Sequence, residues 1–110
     1  MNAPISSLRD VEALEQVPLQ DRDLPPNTYE LLRRSARQFG PSTALTFLLQ
    51  GSAAEEPLKV SYEQLLARVT QAANAFHRLG VRPDTSVSFL LPNLPQTHYV
   101  IWGGEAAGIV

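Results

Sequence analysis

The chain has 110 residues, 44% of them apolar and 18% charged, a length typical of one folding unit or of a piece of a larger one. Nine basic residues against eleven acidic ones give a net charge of −2, which argues against a nucleic acid partner. Because the sequence contains no cysteine, disulfides, thiolate metal sites and a cysteine nucleophile are excluded.

Residues 1–27 are predicted to form a leader that is extended or partly disordered, since four prolines interrupt them. Within this leader we expect one short amphipathic turn after Ser7, with Asp10 as a first-turn acid. Its apolar positions are Leu8, Val11 and Leu14. The first residues resemble no secretion signal, and no stretch is long enough to span a bilayer, so we expect a cytoplasmic protein.

The next residues predict a helix followed by a hairpin. The helix covers 28–39, begins at Thr28, a residue type that often caps helices, and stops before Gly40. Residues 44–49 are apolar and too few for a helix, so they predict a strand. A second strand over 58–60 is expected to pair with it in an antiparallel hairpin.

A long amphipathic helix over 62–79 is the clearest pattern in the chain. Ser61 and Gln64 have the spacing of a capping box, and Gly80 is expected to end the helix in the left-handed conformation. After a turn, residues 86–91 predict a buried strand that Pro92 ends.

A last helix is predicted over 94–107. Gly103 and Gly104 lie inside it and cost roughly 1 kcal/mol each relative to alanine, so they require a packing reason such as close approach to a sheet. Gly108 is expected to cap this helix, and Ile109-Val110 resembles the start of another strand. The natural protein is therefore expected to continue, and the chain to self-associate through the uncovered 94–107 helix and the Ile109-Val110 edge.

Together these elements predict an α/β fold, with about three helices covering a small mixed sheet that includes the hairpin. The interior is expected to include five residues: Leu65, Val69, Phe76, Val87 and Phe89.

No catalytic constellation stands out in the sequence, which contains no phosphate-binding glycine loop, nucleophile elbow or zinc-binding helix motif. His98 is interpreted as a structural or surface residue, because it has no paired acid in sequence. His77 is interpreted as solvated, because it lies on the polar side of the long helix. Trp102 is interpreted as a core residue. The arginines at 33, 34 and 37 fit a solvated helix face better than an anion site.

Several stretches in one order resemble acyl-CoA synthetases, which belong to the adenylate-forming enzymes. They are residues 27–32, 60–65, 79–81, 87–93 and 104–110. Residues 60–65, Val-Ser-Tyr-Glu-Gln-Leu, are similar to the family pattern Leu-Thr/Ser-Tyr-x-Glu-Leu, with valine for leucine and glutamine for glutamate. In the last stretch Gly104-Glu105 stands where the family has Leu-Lys.

The resemblance implies the N-terminal portion of the large domain of such an enzyme, with residues 28–110 as an incomplete adenylation domain. The whole enzyme would activate a carboxylic acid of the fatty-acid kind with ATP and Mg²⁺, and then transfer the acyl group to coenzyme A. The matching motifs are structural in the family, so no catalytic, cofactor-binding or metal-binding residue is assigned. The segment alone is expected to be inactive and to bind none of these molecules.

Two other interpretations remain open. The chain could be a small non-catalytic protein-interaction module, in which the core would close before the terminus. It could also be the start of a fatty acyl-AMP ligase or of a peptide-synthetase adenylation domain. The run Pro-Asn-Leu-Pro-Gln-Thr-His-Tyr at 92–99 resembles the acyl-CoA synthetase branch more closely.

Overall fold

The computed structural model describes residues 5–109 and has the expected α/β class. Its elements in chain order are helix α1 (Leu8–Glu15), a 3₁₀ turn (Leu19–Asp21), helix α2 (Thr28–Phe39), strands β1 (Thr43–Phe47) and β2 (Leu58–Ser61), and helices α3 (Tyr62–Arg78) and α4 (Pro95–Ala106). Helix α3 is central, because α2, α4 and both strands pack against it.

The predicted hairpin is confirmed. Strands β1 and β2 pair antiparallel, with Leu45 opposite Val60 and an irregularity between Thr43 and Leu45. The connecting loop is held by the carboxylate of Glu55, which accepts hydrogen bonds from the backbone amides of Leu49 and Gln50. This pair is the whole sheet within residues 5–109, so the expected mixed sheet is not present there.

Local signals set the ends of α3 as predicted. The Ser61 hydroxyl accepts a hydrogen bond from the Gln64 amide, and the Gln64 side chain accepts one from the Ser61 amide, which completes the capping box. At the other end Gly80 has φ 77°, and its amide donates to His77 while the Val81 amide donates to Phe76. This pattern of two bonds is the Schellman motif.

Helix α2 has the predicted length but a different cap. The Asn27 side chain accepts the Glu30 amide at 2.8 Å, so Asn27 is the N-cap and Thr28 is the first helical residue. Both residue types are good caps, and the register of the helix decided between them. Tyr29, the next residue of α2, links this helix to α3, because its hydroxyl and the hydroxyl of Thr70 form a hydrogen bond of 2.8 Å.

The core lies where α3 meets the hairpin and α4. Its buried centre consists of Val60, Leu65 and Val69, and Val69 is completely inaccessible. Seven partly buried residues surround this centre: Tyr29, Leu32, Ala44, Leu45, Tyr99, Trp102 and Ala106. The predictions for Leu65, Val69 and Trp102 are therefore confirmed.

The glycines of α4 have the packing reason that the sequence required, but the neighbour is a helix and not a sheet. A Cβ placed on Gly103 would lie 2.5 Å from the Cβ of Ala72 and 3.1 Å from the backbone oxygen of Val69. The backbones of α3 and α4 therefore approach each other too closely for any side chain at this position.

Two predicted strands are wrong within the described residues. Residues 86–91, which we call the edge segment, are not in a strand, because no neighbouring strand among residues 5–109 pairs with them. Ile109 is also not in a strand, because its amide donates to Gly104 in the Schellman cap of α4. Val110 lies outside the described residues. Without a covering layer, Phe89 is exposed, whereas Phe76 and Val87 are half-buried and not interior.

The leader contains the amphipathic turn predicted after Ser7, which is longer than expected and forms α1. Ser7 and Asp10 form a capping box, and the Asp10 carboxylate accepts the amides of Ser6 and Ser7. No side chain of α1 is buried. The Arg22 guanidinium donates to the carbonyls of Leu14 and Val17 and so closes the C-terminal end of the helix.

Candidate functional site

An apolar groove of about 310 Å³ lies between α3, α4 and the edge segment. Its lining consists of Phe76, Val87, Phe89, Val100, Ile101, Gly104, Glu105 and Ile109. We call these eight residues the apolar groove.

A turn and a backbone hydrogen bond position the edge segment beside this groove. Residues 82–85 form a turn in which the Thr85 amide donates to Arg82 and Asp84 adopts φ 65°, a conformation that aspartate tolerates better than most residues. The Asp84 amide donates to the carbonyl of Gly108 at 2.9 Å, which ties the start of the edge segment to the end of α4. The groove therefore lies where α3, α4 and the edge segment meet.

The chemistry of the apolar groove is limited. Glu105 is its ionisable residue, and this carboxylate lies on an exposed part of α4. No polar or charged residue is buried among residues 5–109, so the described chain lacks a desolvated acid or base. The groove can accept apolar side chains, but it has no nucleophile and no proton-transfer pair.

A second, more polar groove of about 560 Å³ lies between β2, α3 and the start of α4. Lys59 and Arg68 are its cations, and Gln64, Gln96 and Tyr99 contribute neutral polar groups. Arg68 donates to Gln71 at 3.1 Å, and Gln64 is engaged in the capping box of α3. Two of the polar side chains that line this groove, Arg68 and Gln64, are thus engaged in local structure.

The arginines that were considered from the sequence as a candidate anion site do not come together in a site. Arg33 and Arg37 lie 3.1 and 4.0 Å from the carboxylate of Glu30, and Arg34 lies 3.2 Å from that of Asp23. These ion pairs favour the solvated-face interpretation over an anion site.

The two histidines also remain apart from any acid–base arrangement. His77 is exposed in the last turn of α3, and His98 is half-buried in α4. Among the described residues no group of three His, Asp or Glu side chains could hold a metal ion. None of the helices that the structure describes is long and apolar enough to cross a bilayer.

Hydrogen bonding perturbs one carboxyl group outside the grooves. The pKa of Asp10 is lowered, chiefly by the hydroxyl of Ser7 and then by the amide and hydroxyl of Ser6. Because this carboxylate caps α1, the lowered pKa reflects helix capping and gives no indication of catalysis.

Sequence reasoning missed the apolar groove because it treated the edge segment as a buried strand. A usable signal was present: from Thr85 to Gly104 the sequence contains no Asp, Glu, Lys or Arg. A run of 20 residues without charge is long for a surface of this chain, where 18% of residues are charged.

Comparison with known proteins gives matches in sequence and in structure. A family model described as "AMP-binding enzyme" matches residues 32–110. Marinolic acid–CoA ligase of Pseudoalteromonas sp. (strain SANK 73390) is 32% identical over 105 residues, which cover 96% of this chain and 16% of that relative.

The crystal structure of fatty acyl-adenylate ligase from L. pneumophila, in complex with acyl adenylate and pyrophosphate, superposes with a TM-score of 0.63. The match covers 76% of this chain and 14% of that one at 24% identity, so it shows a shared fold. The chain thus spans 16% and 14% of the lengths of these two proteins.

Proposed function

Since the chain belongs to the family of AMP-binding enzymes, we propose that it is the N-terminal part of the large domain of an acyl-CoA synthetase. The observation that supports this most directly is the 32% identity to a relative named as an acid–CoA ligase, which extends over 105 residues. The family match over 32–110 nearly coincides with the stretch, 27–110, that resembles acyl-CoA synthetases.

In this proposal the complete protein activates a carboxylic acid of the fatty-acid kind in two steps. The carboxylate first displaces pyrophosphate from ATP and becomes an acyl-adenylate, which converts a poor leaving oxygen into the good leaving group AMP. The thiol of coenzyme A then takes the acyl group, and AMP leaves. A cytoplasmic location is part of the proposal, because ATP and coenzyme A are available there.

The part of this chain in the proposed enzyme is structural. The residues described here do not fit an ATP–Mg²⁺ site, because they hold no cluster of metal-ligating carboxylates and histidines and no buried charged group. The family motif at 60–65 caps α3, and the motif at 104–110 contains the glycine cap of α4. We propose that ATP, Mg²⁺ and coenzyme A bind to other parts of the protein and that the segment alone is inactive.

The proposal is tested with the complete protein in a pyrophosphate exchange assay. Exchange that depends on a fatty acid, followed by formation of acyl-CoA when coenzyme A is added, is the expected result. Accumulation of acyl-adenylate without transfer to coenzyme A would indicate a fatty acyl-AMP ligase, and exchange that depends on an amino acid would indicate a peptide-synthetase domain. Absence of exchange with every acid tested would contradict the proposal.

A calorimetric titration of the 110-residue chain with ATP and Mg²⁺ tests the proposal that this segment does not itself bind the nucleotide. We expect no heat of binding at micromolar concentrations. A micromolar dissociation constant would show that the segment itself holds a nucleotide site, with the polar groove around Lys59 and Arg68 as the first place to substitute.

A further inference from the structure

We draw no further inference here: the strongest candidate, the apolar groove between α3, α4 and the edge segment, carries none because nothing in the structure shows what covers it.

Discussion

The close approach of α4 to α3 makes Gly103→Ala an informative substitution. In an isolated helix this change would be stabilising, since alanine is favoured over glycine by about 1 kcal/mol. In this fold the new methyl group would lie 2.5 Å from the Cβ of Ala72 and 3.1 Å from the amide nitrogen of Ala73 and the carbonyl oxygen of Val69. Two of these three neighbours are backbone atoms, and none can rotate away.

The size of the effect follows from that geometry. Carbon atoms in contact normally lie about 3.5–4.0 Å apart, so α4 would have to move away from α3 by roughly 1 Å or more. Inserting a methyl group into a packed interface typically costs about 1–3 kcal/mol, and the rigid neighbours place this site in the upper part of that range. After subtraction of the helix-propensity gain, we expect a loss of about 1–2 kcal/mol in the free energy of unfolding.

Gly104→Ala is the matched control in the same helix. There the nearest atom to the new methyl group is Cε2 of Phe76 at 4.0 Å, an ordinary contact. This variant is expected to be as stable as the parent or more stable by up to about 1 kcal/mol. Urea unfolding followed by circular dichroism, at concentrations low enough to keep all variants monomeric, gives both values.

Ala72→Gly provides a second check, because it removes the nearest atom to the new methyl group. In a double-mutant cycle it should restore part of the stability that Gly103→Ala loses, with a favourable coupling of about 0.5–1 kcal/mol. If Gly103→Ala unfolds at the same urea concentration as Gly104→Ala, the close approach of the two helices described here is incorrect.

Two further predictions concern Phe76 and Asp10. Phe76→Ala is expected to cost about 2 kcal/mol in a thermal or urea melt, below the 3–5 kcal/mol typical of a fully buried phenylalanine, because Phe76 is half-buried beside the open groove. A loss above 4 kcal/mol would indicate that the groove is closed in solution. Hydrogen bonds from Ser7 and Ser6 lower the pKa of the Asp10 carboxyl in the folded chain. The ionised carboxylate therefore stabilises the start of α1 at pH values above the unfolded pKa of about 3.9. This stabilisation is lost as the pH falls through the lower pKa of the folded chain. The amide chemical shifts of α1 should therefore titrate with a midpoint below a pH of about 3.9. This titration should be absent in Asp10→Asn. A midpoint above a pH of about 3.9 would contradict the assigned hydrogen bonds.

Capping and turn residues illustrate how much local structure could be predicted. The ends of α3 were predicted from Ser61, Gln64 and Gly80, because a capping box and a left-handed glycine are satisfied by atoms within a few residues. The short helix after Ser7 was predicted for the same reason, although its full length to Glu15 was not. Where two good caps were adjacent, at Asn27 and Thr28, the sequence prediction of Thr28 as the cap was wrong, because the Asn27 side chain caps the helix.

The candidate site could be predicted much less well. Phe89 and Val87 were expected in the interior because alternating apolar residues usually are, yet burial needs a second layer that is not among residues 5–109. The same stretch therefore lines an open groove. Glu105, the groove's ionisable residue, was noticed in the sequence only as a departure from a family pattern.

By itself, the sequence determined the α/β class, the positions of the hairpin and the main helices, and the resemblance to adenylate-forming enzymes that the family match confirmed. These properties depend on local periodicity, on caps and on motifs in a fixed order. The tertiary structure alone decided that Gly103 faces α3, that Ile109 closes a helix cap and that residues 86–91 pair with no strand among residues 5–109. The reason is that a strand, a close approach and a groove each require a second element, and the position of that element is not encoded in the residues that meet it.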